Sequence, residues 1–215
     1  MSLLRRSTLP NAITIGRILL APAVAILAFI PEFGARLFAF ILFVVAAVSD
    51  LWDGYLARKY GWISNFGKLM DPLADKLLLV ATFVPFYILS HRGGPVGRLP
   101  FWGSLPLWVV LVIFGREALI TVMRMVAAHR GVVVPAAAAG KYKAAFQNIF
   151  SGSVLLWYAL QTIADEHGWT GAAWEAWQAF HGAVLASTLA IAVVLTLYSL
   201  AVYLKSWRTM VREAT

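Results

Sequence analysis

Residues 50–75 read DLWDGYLARKYGWISNFGKLMDPLAD and place four carboxylates, Asp50, Asp53, Asp71 and Asp75, inside otherwise lipid-soluble sequence. Asp50 and Asp53 stand three residues apart and Asp71 and Asp75 four, so each pair lies on one face of its own helix. Of five aspartates in the chain only Asp165 falls outside this stretch, which sets the stretch apart as a site and the rest as its housing.

The 215 residues are 61% hydrophobic and 13% charged, with a mean hydropathy of +0.77. That balance belongs to membrane proteins, and the length suits a single domain over 1–215, with 1–10 as a juxtamembrane segment. With no cysteine, disulfides, thiolate nucleophiles and Cys-ligated zinc are all excluded, so any metal is held by oxygen or imidazole. The four histidines, at 91, 129, 167 and 181, are not spaced to join the aspartates as ligands.

Six apolar runs are long enough to cross about 30 Å of hydrocarbon: about 12–30, 35–59, 72–89, 105–128, 140–163 and 182–204. The first has no small-residue cleavage pattern and carries Arg17 near its start, so it reads as a retained helix rather than a signal peptide. The expected fold is an all-α polytopic membrane protein with six transmembrane helices. An even number of spans puts both termini on one side. Arg5, Arg6, Arg58, Lys59, Lys68, Arg130, Lys141, Lys143, Lys205, Arg208 and Arg212 fall on that side, whereas the other receives Arg36, Arg92 and Arg98. The positive-inside rule makes the richer side, and both termini, cytoplasmic. Basic residues distributed over every inner loop, with no folded soluble module, fit anionic lipid and phosphorylated substrates and not a nucleic-acid reader. Loops 90–104 and 164–181, the latter with Trp169, Trp174 and Trp177, read as external turns with interfacial aromatics.

An ionised aspartate at mid-membrane costs about 2.5–3.5 kcal/mol on insertion scales, so four together demand neutralisation. Protons, the nearby Arg58, Lys68 and Lys76, or divalent cations can supply it. All-oxygen ligation favours Mg²⁺ or Mn²⁺ over zinc. The pairs flank a turn containing Gly61, Asn65 and Gly67, which places them near the cytoplasmic interface, within reach of hydrated metal and water-soluble substrate. Two cations on shared carboxylates are an apparatus for phosphoryl chemistry. Gly54 and Ala57 continue the face of the first pair, either to admit a diphosphate or simply to pack helices, and Arg58 one turn on from Gly54 can fork onto phosphate oxygens.

The pattern Asp50-x2-Asp53-Gly54-x2-Ala57-Arg58-x8-Gly67-x3-Asp71-x3-Asp75 fixes eight residues and resembles, at every one, the signature of the CDP-alcohol phosphotransferase (CDP-alcohol phosphatidyltransferase) family. The resemblance implies six transmembrane helices, usually in a homodimer, and transfer of a substituted phosphoryl group from a CDP-linked donor to an alcohol with release of CMP. It implies that Asp50, Asp53 and Asp71 ligate two Mg²⁺ or Mn²⁺ ions, with Asp75 at the same centre as the base on the acceptor hydroxyl. Asp50, Asp53, Gly54, Ala57, Arg58 and Gly67 would bind the cytidine diphosphate. The acid bound least directly to metal is also the natural proton acceptor, which agrees with Asp75.

Three further stretches resemble the phosphatidylglycerophosphate synthase branch of that family: Leu9-Pro10-Asn11-Ala12-Ile13-Thr14-Ile15-Gly16-Arg17, Gly115-Arg116-Glu117-Ala118 on to Arg124, and Gly140-Lys141-Tyr142-Lys143. Asn11 joins the CDP-binding residues on this likeness. Arg116 and Arg124 are two turns apart on nearly one face, and with Lys141 and Lys143 they form a basic pocket for an acceptor with its own phosphate. Glu117 is expected to pair with a neighbouring arginine. Ala144 stands where that branch often has Thr. The implied reaction joins CDP-diacylglycerol to glycerol 3-phosphate at the cytoplasmic face of a bacterial inner membrane. Phosphatidylglycerol or inositol phosphate are the alternative acceptors. A proton- or cation-coupled transporter, the rival from another class, calls for broken helices or repeated halves.

Overall fold

The computed structural model describes residues 8–60, 65–94, 97–129 and 139–213. Within its helices the side chains at 8–10, 51, 53–58, 65, 66, 68, 69, 128, 129, 139, 141 and 209–213 lie outside that description. The described residues form six helices: α1 Thr8–Phe29, α2 Phe33–Tyr60, α3 Asn65–His91, α4 Leu107–His129, α5 Ala139–His167 and α6 Ala172–Glu213. An isolated antiparallel bridge between Leu99 and Gly103 closes the turn before α4.

Four stretches are long and apolar enough to cross a membrane: Asn11–Phe29, Phe33–Asp50, Met70–His91 and Ala172–Arg208. The helix α4 falls outside that group because Arg116, Glu117 and Arg124 interrupt its apolar run, and α5 because Gln147, Asn148, Ser151, Ser153 and Gln161 dilute its own. The chain is therefore an all-helical protein with four helices of membrane-spanning character and two that carry polar residues. Large apolar side chains such as Leu19, Ile26, Leu111 and Val194 are exposed on the outside of the bundle, where a bilayer would solvate them.

Two elements differ from expectation. The third helix begins at Asn65, a full turn and more before the apolar run, so the segment carrying Gly67, Asp71 and Asp75 is helical throughout. The sixth begins at Ala172 and runs for 42 residues, turning Trp174 and Trp177 from loop anchors into helix side chains. They stack on each other with ring centroids 4.8 Å apart, and Trp177 in turn lies 4.6 Å from the ring of His181. The preceding helix stops at Gly168, whose φ of 60° supplies the left-handed cap, and Trp169 N–H donates to the Ala164 carbonyl at 2.9 Å.

Packing is closest between α1 and both α2 and α3, between α5 and both α2 and α6, and then between α4 and α6. Ala21, Ala28, Ala39 and Ala46 are all buried at or near zero exposure, and such small side chains let the first helices approach closely. Aromatic rings fill the middle instead: Phe83 and Phe86 of α3 meet Phe150 of α5 at 5.5 and 6.3 Å. Pro72 and Pro85 lie inside α3, each removing one rung of its hydrogen-bond ladder, a loss membrane helices tolerate where neighbouring groups compensate.

Candidate active site

The carboxylates of Asp50 on α2 and of Asp71 and Asp75 on α3 converge on a single side chain of α1, Arg17. Its Nη1 donates to Asp50 Oδ1 and, at 3.0 Å, to Asp75 Oδ1, while Nη2 reaches Asp71 Oδ1 at 3.3 Å. Thr14, one turn earlier, donates its hydroxyl to Asp71 Oδ1 at 2.8 Å. Arg17 is 2% exposed, whereas the three carboxylates are 37, 46 and 59% exposed. A buried cation thus underlies a group of acids that opens toward solvent.

This arrangement follows from the local sequence. Asn11, Thr14 and Arg17 recur at three-residue spacing and so line one stripe of α1, the helix packed against both α2 and α3. Asp71 and Asp75 share a face of α3, as their spacing requires. The side chains of Asp53, Gly54, Ala57 and Arg58, and of Lys68, lie outside the described residues. Gly67 sits in the first turn of α3, half-buried. Among the described residues no three acid or imidazole groups form a ready-made metal cluster. In its place a guanidinium stands amid three carboxylates.

A second polar group lies between α4 and α5. Glu117 accepts from Arg116 Nη1 at 2.9 Å and from Lys143 Nζ, so the acid gathers two of the four predicted basic residues. Lys143 is 5% exposed. Lys76 donates to Thr121 Oγ1 at 2.7 Å and is not the counter-ion of the aspartates. Arg124 lies two turns from Arg116 with its guanidinium 5.9 Å from the ring centroid of Tyr203, and the side chain of Lys141 is outside the described residues. Ala144 is exposed.

A groove of about 370 Å³ runs between α3 and α4, lined by Leu79, Val80, Phe114 and Val122 with Lys76 and Glu117 at its polar part. Its lining is mostly apolar and includes Glu117, the partner of Arg116 and Lys143.

The profile of the CDP-alcohol phosphatidyltransferase family matches residues 7–212, almost the whole chain and every helix just described. The chain belongs to the CDP-alcohol phosphatidyltransferase family. Among its relatives, the CDP-diacylglycerol–glycerol-3-phosphate 3-phosphatidyltransferase of Bacillus subtilis is 39% identical over 160 residues, covering 69% of this chain and 76% of that protein. The protein of the same name from Rickettsia typhi is 36% identical over 148 residues, 69% of this chain and 75% of its own. A chloroplastic/mitochondrial enzyme of Arabidopsis thaliana, again a CDP-diacylglycerol–glycerol-3-phosphate 3-phosphatidyltransferase, is 30% identical over 210 residues, 95% of this chain and 64% of that protein. As a CDP-alcohol phosphatidyltransferase, the protein carries its family signature on α2 and α3, and the three signature aspartates whose side chains are described meet at Arg17.

The acids stand out in the amino-acid sequence, whereas their partner does not. Arg17 was visible as a charge inside an apolar run, with Thr14 a turn before it, and that costly placement is the signal that it answers the aspartates. Glu117 pairs with Arg116 as expected and with Lys143 besides.

Proposed function

We propose that this chain transfers a phosphatidyl group from CDP-diacylglycerol to glycerol 3-phosphate, giving phosphatidylglycerophosphate and CMP in phospholipid biosynthesis. The observation that carries the reading is the junction of two oppositely charged groups. Asp75 belongs to the acidic cluster at Arg17, and in the basic group Lys143 shares Glu117 with Arg116. An acceptor with a phosphate at one end and a hydroxyl at the other matches that polarity, and the named relatives act on such an acceptor.

In the proposed step the primary hydroxyl oxygen of glycerol 3-phosphate attacks the phosphorus that carries diacylglycerol. A new P–O bond forms, the P–O bond to CMP breaks with its electron pair leaving on CMP, and the hydroxyl proton passes to Asp75. Arg116 and Lys143 hold the acceptor phosphate, with Arg124 and Lys141 as outer contributors on the same helices. Asn11, Gly54, Ala57, Arg58 and Gly67 form the cytidine diphosphate site with Asp50 and Asp53. The apolar groove between α3 and α4 suits the acyl chains of the donor.

The donor set fits hard divalent cations: Asp50, Asp71 and Asp75 offer only oxygen, are partly open to water, and already gather around positive charge. Together with Asp53 they would hold Mg²⁺ or Mn²⁺, two ions per site, and bound metal would neutralise the diphosphate. Arg17 keeps the carboxylates in register and Thr14 orients Asp71.

In this reading all six helices span a bacterial inner membrane, both termini are cytoplasmic, the site opens to the cytoplasm and the protein works as a homodimer. The test is product identity. Purified protein given CDP-diacylglycerol and isotopically labelled glycerol 3-phosphate is expected to move the label into a chloroform-soluble lipid. Label that stays in the aqueous phase while CMP is released would mean that the acceptor is something else.

A further inference from the structure

The face of α5 that carries Lys143 continues with Gln147 and Ser151 at four-residue spacing, so the three side chains form one stripe. All are buried, at 5, 3 and 2% exposure. Ser151 donates to Thr82 of α3 at 3.2 Å and Lys143 to Glu117, but Gln147 Nε2 has no hydrogen-bond partner. A buried amide left without a partner is expensive, most of all where lipid excludes water. Another donor of the basic group, Arg116 Nε, is likewise buried and unpartnered.

The register of the two helices fixes where Gln147 stands. Both α3 and α5 run away from the end that holds Asn65 and Ala139, and Ser151 is level with Thr82 through their hydrogen bond. Two turns back toward that end, Lys143 comes level with Asp75. Gln147 therefore lies a single turn deeper than the base and the phosphate-binding lysine. Helical side chains lean toward their N-terminus, which aims the amide back at that level.

We propose that Gln147 reads the acceptor's second hydroxyl, its Nε2 donating to the C2 oxygen of glycerol 3-phosphate. The proposal rests on the acceptor assignment made above and deepens it. Glycerol 3-phosphate spans three carbons. With its phosphate on Arg116 and Lys143 and its primary hydroxyl at Asp75, the middle hydroxyl is left to face the next turn of α5. A site built around such a hydrogen bond discriminates against an acceptor that lacks the group.

The experiment compares glycerol 3-phosphate with 3-hydroxypropyl phosphate, which keeps the phosphate and the primary hydroxyl but has no C2 hydroxyl. CMP release from CDP-diacylglycerol is measured with full-length wild type and with Gln147→Leu, checked for folding by gel filtration. Wild type is expected to favour glycerol 3-phosphate by about tenfold or more in kcat/KM, the equivalent of about 1.4 kcal/mol. Gln147→Leu should lose most of that preference while its KM for CDP-diacylglycerol stays within about twofold. Equal use of both acceptors by wild type would overturn the proposal, and this arm needs no variant. So would an undiminished preference in Gln147→Leu. A rise in KM for CDP-diacylglycerol with the acceptor preference intact would overturn it in favour of a lipid ester carbonyl as the partner of the amide. If Gln147→Leu does not fold, Gln147→Asn, which withdraws the amide by one methylene, is expected to show a reduced preference. No CMP release from folded wild type with either acceptor would instead contradict the acceptor assignment itself.

Discussion

Arg17 decides how the acidic site survives at the edge of a membrane. Its guanidinium contacts three carboxylates that repel one another, and only a planar fork with several donors can do that at once. Replacing it with Gln leaves those acids without their buried counter-charge. Because the carboxylates are themselves partly exposed, the expected loss is about 1–2 kcal/mol rather than the larger value of a fully buried pair. The loss should appear as a lower melting temperature for Arg17→Gln in detergent with EDTA, and Mg²⁺ should recover much of it. Equal melting of variant and wild type in EDTA would show that Arg17 does not hold the cluster. The roles of the acids separate by binding. Asp75→Asn is expected to abolish turnover yet retain CDP-diacylglycerol, whereas Asp50→Asn should lose metal-dependent nucleotide binding as well; equal binding loss in both would remove the case for a separate base. Arg116→Ala should raise KM for glycerol 3-phosphate by about tenfold or more, as loss of a charge-assisted hydrogen bond implies, and leave KM for CDP-diacylglycerol nearly unchanged. At this scale the aspartates were legible in the sequence because charge in an apolar run is conspicuous. The partnership of Arg17 with them was not, since 33 residues separate it from Asp50 and 58 from Asp75. Gln147 gave no signal at all, because a glutamine in a helix is ordinary until its burial and missing partner are known.

The helices themselves were legible from their apolar runs, but their ends were not. Polar residues lead into α3, and aromatic ones open α6, so hydropathy alone placed the first seven residues of α3 and the first ten of α6 outside their helices. Stacking of Trp174 and Trp177, 4.8 Å apart, is a side-chain contact that hydropathy does not register. The extension of α6 brings Gly182 against the turn before α4, where an added Cβ would lie 2.8 Å from Pro100 Cβ and 2.9 Å from the Phe101 ring. Gly182→Ala should therefore destabilise the protein by about 1–3 kcal/mol, as overpacked sites do, without changing KM for either substrate. An unaltered melting temperature would show that α6 does not press on that turn.

For the whole molecule, charge and packing support one orientation. The acids on α2 and α3 and the basic group on α4 and α5 all lie toward the end of the bundle that holds Tyr60, Asn65 and Ala139, the side rich in Lys and Arg. In the proposed topology that end is cytoplasmic. The chain has no cysteine, so single substitutions report sidedness directly. In spheroplasts, Arg98→Cys is expected to react with a membrane-impermeant maleimide and Ser206→Cys only after lysis. The reverse pattern would invert the orientation and put the site on the wrong side of the membrane for CDP-linked substrates. The most direct measurement of the central claim is CMP release by purified wild type given CDP-diacylglycerol and Mg²⁺, with glycerol 3-phosphate, inositol phosphate, serine and phosphatidylglycerol in separate reactions. Release with glycerol 3-phosphate alone, abolished by EDTA, is the predicted result; release with another acceptor, or undiminished release in EDTA, would contradict the assignment of the basic group or of the metal-binding acids respectively.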